Sequence, residues 1–190
     1  KDINNDELQS NFSEFLKEII PVAEENNIKM ALHPDDPPIS LFGLPRIVSN
    51  HEDYQFVLDQ YKSNNNGITF CTGSLASNFN NDIYKMFDHF KDKIHFIHLR
   101  NVTIEKDNIS FIESDHLEGD IDFVKIINMI LIEEKKRKEN NQDYHIPMRP
   151  DHGHSLLDDK KKKLNPGYSC IGRMKGLAEI RGIIKALNKE

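Results

Sequence analysis

Four side chains able to bind a metal ion fall at matching places along the chain. His33 follows the short apolar run Ile28-Lys-Met-Ala-Leu32, and Cys71 ends Ile68-Thr-Phe-Cys71. His98 stands near the end of Ile94-His-Phe-Ile-His-Leu99, and Asp151 follows His145-Ile-Pro-Met-Arg149. Each run reads as a strand, so the four donors sit at the C-terminal ends of successive strands, where parallel α/β barrels build their sites. Imidazole, thiolate and carboxylate brought from separate elements are what a divalent ion needs, and the thiolate by itself favours Zn2+ or Fe2+. Each residue taken singly has an ordinary alternative. A His can be hydrogen-bonded structure, a lone Cys a small buried apolar group, and an Asp after a strand a helix cap. Their shared position argues for a site.

The last loop is denser. Met148-Arg-Pro-Asp-His-Gly-His154 places a cation, a carboxylate and two imidazoles in one short run punctuated by Pro150 and Gly153, which reads as a shaped loop. Asn165-Pro-Gly-Tyr-Ser169 follows, a turn that either presents the Tyr168 phenol or packs it on its neighbours. In His33-Pro-Asp-Asp-Pro-Pro38 the prolines restrict where His33 and the carboxylates point. Strand alternation puts Ile94, Phe96 and His98 on one face and turns His95 toward surrounding helices.

The elements that must hold these residues alternate. Leu8, Phe12, Phe15, Leu16, Ile19 and Ile20 recur at helical spacing, and Pro21 is expected to bend or interrupt that helix. A second helix opens at Ser49 with Glu52 in capping-box position, a third covers Asp82 to Phe90, a long one runs from about Asp122 to Lys138, and the last from Arg173 to Leu187. Four short apolar strands between helices predict parallel βα units, with no hairpin. Both a doubly wound sheet and part of a (β/α)8 barrel accommodate this pattern. No Gly-x-Gly-x-x-Gly follows a strand, which weakens a dinucleotide-binding reading.

A length of 190 residues suits a single domain, 1–190. The formal net charge of −6 argues against nucleic acid as a partner, and the run Lys160 to Lys163 reads as a solvated face. No apolar stretch approaches the roughly 20 residues that span a bilayer, so no membrane partner is expected. Cys71 and Cys170 make no disulfide framework, and a reducing cytoplasm is the expected setting. The polar start without Met reads as an interior cut or a processed end.

Longer motifs carry a family resemblance. Ala31-Leu-His-Pro-Asp-Asp-Pro-Pro38, Phe42-Gly-Leu-Pro-Arg46, Cys71-Thr-Gly-Ser74 and His98-Leu-Arg100 resemble mannonate dehydratase. So do Pro147-Met-Arg-Pro-Asp-His-Gly-His154, Asn165-Pro-Gly-Tyr-Ser169 and Gly172-Arg-Met-Lys-Gly-Leu-Ala-Glu-Ile-Arg-Gly182, in order from about Ile28 onward. Cys170 stands where the family commonly has a small residue, and it reads as inert.

The resemblance implies a (β/α)8 TIM-type barrel of the xylose isomerase-like class, represented here by about four C-terminal βα units. It implies conversion of D-mannonate to 2-dehydro-3-deoxy-D-gluconate and water in hexuronate breakdown. The metal ligands carry over onto His33, Cys71, His98 and Asp151, with Mn2+ expected and Fe2+ or Co2+ as substitutes. Tyr168 and His152 are the candidates for base and acid. Arg149 and Arg100 offer positive charge to a carboxylate, and His154 is a further candidate for holding substrate. Four strands cannot close an eight-stranded barrel, so an N-terminal half is the expected partner, with a homo-oligomer also compatible. A related sugar isomerase, a repair endonuclease, and a metal-binding half-barrel without activity of its own are the competing readings.

Overall fold

A computed structural model describes residues 3–188, so Lys1 and Asp2 of the polar start lie outside the described residues. The chain forms two compact units, 1–96 and 97–190, divided inside a β-strand.

In the first unit, α1 (Asn5–Glu25) is opened by a reciprocal box in which Asn4 caps the Glu7 amide and Glu7 returns to the Asn4 amide. It buries Leu16, Ile20 and Ala23 and continues through Pro21. The expected interruption does not occur: the ring removes one amide donor, but the helix carries on for a further turn. β1 (Met30–Leu32) pairs in parallel with β2 (Asn66–Cys71), Met30 opposite Asn66 and Leu32 opposite Ile68. Between them, α2 (His51–Gln60) starts one residue later than its sequence suggests. Asn50, not Ser49, is the cap: its side chain accepts from the Asp53 amide, while the Asp53 carboxylate accepts from the Ser49 amide. After β2 come α3 (Thr72–Ala76) and α4 (Ile83–Phe90), the latter capped by Asp82, where the sequence places the start of this helix. Phe87 of α4 meets Phe70 of β2 edge to face with ring centroids 5.4 Å apart, and Tyr54 of α2 donates from its phenol to the Thr69 carbonyl at 2.9 Å. These contacts fix β2 against its helices.

β3 (Ile94–His98) spans the division. The sheet order is β1-β2-β3-β6, with β6 reduced to Met148–Arg149 and parallel to β3. Pro147 keeps β6 short because it has no amide to give, although its carbonyl accepts from the Ile97 amide. His95 departs from its expected direction. Its Nδ1 lies 2.6 Å from the Met30 carbonyl and its ring lies where a Gly67 side chain would stand, so it meets strand backbone.

In the second unit, the sequence reading missed an antiparallel pair, β4 (Asn101–Ile104) and β5 (Phe111–Ser114), with Val102 opposite Glu113. Asp107 turns the chain between them by accepting from the Ile109 and Ser110 amides. The buried Asn101 side chain donates to the His116 and Ile121 carbonyls, which ties the hairpin to the start of α5 (Phe123–Glu139). Phe123, Ile126, Ile127 and Ile130 of α5 are buried, each worth about 1.5–3 kcal/mol of transfer free energy. α6 (Cys170–Leu187) begins three residues earlier than its pattern suggests. Its N-terminus is capped from a distance: the Asp159 carboxylate, on the 3-10 helix Leu157–Lys161, accepts from the Ile171 and Gly172 amides.

Candidate metal centre and its acid-base loop

His33 leaves β1 with Nδ1 at 2.6 Å from the Pro34 carbonyl. A carbonyl only accepts, so Nδ1 carries the hydrogen and Nε2 is the nitrogen able to bind a metal. The following loop is held by Asp35, whose carboxylate accepts from the Ile47 and Val48 amides and pairs with Arg46. The carboxylate of Asp35 therefore shapes the turn that aims His33. Cys71 is fully buried at the end of β2, where its sulfur accepts from the Ser74 hydroxyl at 3.1 Å and lies 3.5 Å from the Ser74 amide. His98 ends β3 and is buried. His33, Cys71 and His98 each stand at the end of a strand, the first two in the first unit and His98 in the second, and their donor types are those that bind a divalent ion. Two imidazoles and a sulfur suit such an ion, so these residues fit a metal.

Asp151 lies 3.4 Å from His98, carboxylate oxygen to Nδ1. It is buried, in left-handed backbone at φ 61°. Burial pushes its carboxyl upward, but the His98 and His152 rings, Arg100 and the Arg149 hydrogen bond together hold it below the usual carboxylate range. Asp151 does not cap the next helix, because the first free amides of α6 go to Asp159.

The other candidates of this unit lie in the loop of Asp151 or in contact with it. Arg149 donates to it at 2.8 Å and remains about half exposed. Arg100 is buried and reaches the Glu113 carboxylate at 3.2 Å. The His152 ring meets the Tyr168 ring edge to face with centroids 5.0 Å apart. Tyr168 is 45% exposed and also packs on its neighbours, with the Arg173 guanidinium 5.6 Å from the ring centre. His154 lies farther along, with Nε2 at 3.0 Å from the Glu113 carbonyl. Cys170 is exposed and on α6, away from the ligand candidates in sequence.

Two residues escaped sequence reasoning. Glu113, on the unforeseen hairpin, has Oε1 at 2.6 Å from His152 Nδ1. His116 is buried with Nε2 at 2.8 Å from the carbonyl of Pro150, the residue before Asp151. A lone Glu and a lone His between helices gave no signal in the sequence.

Parallel strands, helical connections and donors at strand ends define a metal-capable α/β chain of barrel type. Residues 1–190 match the D-mannonate dehydratase (UxuA) family over their whole length, and the chain belongs to that family. It is 50% identical over 188 residues to mannonate dehydratase 2 of Agrobacterium fabrum (strain C58 / ATCC 33970), covering 99% of this chain and 47% of that protein. Mannonate dehydratase 1 of the same organism is likewise 50% identical, over 98% of this chain and 47% of its own length. The chain thus spans about half the length of the curated relatives it matches. The crystal structure of mannonate dehydratase from Streptococcus suis serotype 2 superposes with a TM-score of 0.87 at 37% identity, over 98% of this chain and 51% of the other. A D-tagatose 3-epimerase-like protein is similar in fold, with a TM-score of 0.61 at 18% identity over 96% of this chain and 56% of the other. No helix among the described residues is long and apolar enough to cross a membrane.

Proposed function

We propose that this chain supplies the metal-binding and proton-transfer residues of a D-mannonate dehydratase, within a single barrel domain completed by the remaining length its relatives carry. The reaction removes a proton from the carbon beside the carboxylate and the hydroxyl from the next carbon, giving 2-dehydro-3-deoxy-D-gluconate and water. The observation that supports this reading is the match of residues 1–190 to this family, with the donors His33, Cys71 and His98 at three successive strand ends.

His33, Cys71, His98 and Asp151 would hold the ion, for which Mn2+ is the first candidate and Fe2+ or Co2+ the substitutes. When bound, the ion would supply Lewis acidity that stabilises the negative charge developing beside the carboxylate. Arg149, half exposed beside Asp151, presents a guanidinium fork of the kind that grips a carboxylate. Arg100 adds positive charge, and His154 serves as a further substrate contact. Tyr168 and His152, in ring contact, divide the two proton transfers. A reducing cytoplasm suits the thiol ligand and the hexuronate-degrading role.

The test is 2-keto acid formation from D-mannonate with Mn2+, by the chain alone and mixed with the missing length of its relatives. Product from the mixture supports the reading. Interconversion of aldoses and ketoses with mannonate left untouched would replace it with a sugar isomerase. The half-length match favours a second reading for the isolated chain, metal uptake without turnover.

A further inference from the structure

We propose that Glu113 is a positioning residue for His152: it takes the hydrogen on Nδ1 and so leaves Nε2 as the ring nitrogen that accepts a proton. The inference rests on the reading of His152 as a proton-transfer group.

The geometry leaves one arrangement. His152 Nδ1 lies 2.6 Å from Glu113 Oε1 and 3.2 Å from Arg100 Nη1. The arginine can only donate, and an ionised carboxylate can only accept. Were Nδ1 bare to receive the arginine, its lone pair would face a carboxylate oxygen at 2.6 Å, two acceptors in repulsive contact. Nδ1 therefore carries the hydrogen and gives it to Glu113. Arg100 Nη1 donates to the same carboxylate, at 3.2 Å, and holds it in place. Nε2 is then the ring's acceptor whenever the imidazole is neutral.

The ring is also held against rotation. Gly167, at φ +81°, lies so close beneath it that a Cβ there would stand 3.0 Å from His152 Cγ, and Tyr168 closes from another side. Glu113 itself is fixed by its pairing with Val102 across the hairpin. β4 and β5 thus serve the loop from Asp151 to His154 by delivering one carboxylate to it.

Nitrogen-15 NMR of the imidazole groups tests this directly, because the two ring tautomers have distinct nitrogen shifts. In the unmodified chain His152 is expected to carry its hydrogen on Nδ1; a ring protonated on Nε2 with bare Nδ1 would overturn the proposal without any variant. Glu113→Ala should move His152 toward the Nε2-protonated form, whereas Glu113→Gln, which keeps an acceptor oxygen, should retain the Nδ1 hydrogen. An unchanged His152 spectrum in Glu113→Ala would equally overturn it. In the assembled enzyme, Glu113→Ala should lower kcat by about 10–100-fold with KM changed less than threefold, a part of the 10²–10⁴-fold typical of acid-base groups, and Glu113→Gln should recover much of it. If the spectra behave as expected and no variant, nor the parent, dehydrates mannonate, the functional reading fails while the positioning role stands.

Discussion

Arg149 donates to Asp151 across 2.8 Å although the two are separated by a single residue, and the left-handed backbone at Asp151 turns its carboxylate back toward the arginine. The oxygen it holds is the one 3.4 Å from His98 Nδ1, so Arg149 orients a proposed ligand. Arg149→Ala should therefore weaken Mn2+ binding by about 10–100-fold, the usual cost of losing a hydrogen bond to a ligand. Calorimetric titration of the chain with Mn2+ checks it, and unaltered affinity would confine Arg149 to the substrate.

With Cys71 among the proposed ligands, the metal set would be softer than Mn2+ normally prefers. Cys71→Ser should lower bound metal measured by elemental analysis, and it should shift the remaining preference from Zn2+ toward Mn2+. Full stoichiometry and unchanged preference would remove the sulfur from the ligand set and leave it as a buried neighbour of Ser74.

Tyr168→Phe keeps the ring against His152 and deletes only the hydroxyl. Turnover of D-mannonate should fall by about 10²–10⁴-fold while metal content stays at the parent level. Near-parent turnover would transfer the proton chemistry to other groups.

Much of this was legible in the sequence, and the failures have physical causes. The apolar runs before His33, Cys71 and His98 gave three strands within a few residues, because short apolar runs between polar turns favour strands; β2 is buried throughout, while β1 is only half-buried. Asp82 and Asp122 announced their helices, since their carboxylates cap amides three residues away. The hairpin was missed because Asn101–Ile104 and Phe111–Ser114 are short and joined by a polar turn, which reads as connection. Its carboxylate Glu113 acts on a ring 39 positions later, a pairing no local pattern encodes. The start of α6 was misplaced for the same reason, since the cap comes from Asp159.

His116 sits on Gly176 of α6, where an added Cβ would come within 2.2 Å of its ring. Gly176→Ala should therefore push the ring off the Pro150 carbonyl and destabilise the chain by about 1–3 kcal/mol, despite alanine's better helix propensity. A lowered Tm accompanied by weaker metal binding is expected, because Pro150 precedes Asp151. A raised Tm would mean that the ring relocates freely.

Lys175 joins α6 to the segment after β5, 2.7 Å from Asp115 and 3.2 Å from Glu179. The Lys175 hydrogen bond holds the Asp115 carboxyl below the usual carboxylate range, and that bond, with help from Glu179, raises the lysine. The depressed carboxyl contributes stability above its unfolded value and loses it as pH falls through its folded value. The raised lysine contributes below its unfolded value and loses it as pH climbs through its folded value. The pair therefore stabilises across the neutral range and fades at both extremes. Lys175→Met should lower Tm at pH 7 by a small amount, since the groups are partly exposed, and the difference from the parent should shrink below about pH 4, near the ordinary carboxylate value. A Tm difference constant from pH 3 to pH 8 would assign the effect of Lys175 to packing along its aliphatic stem instead of its charge.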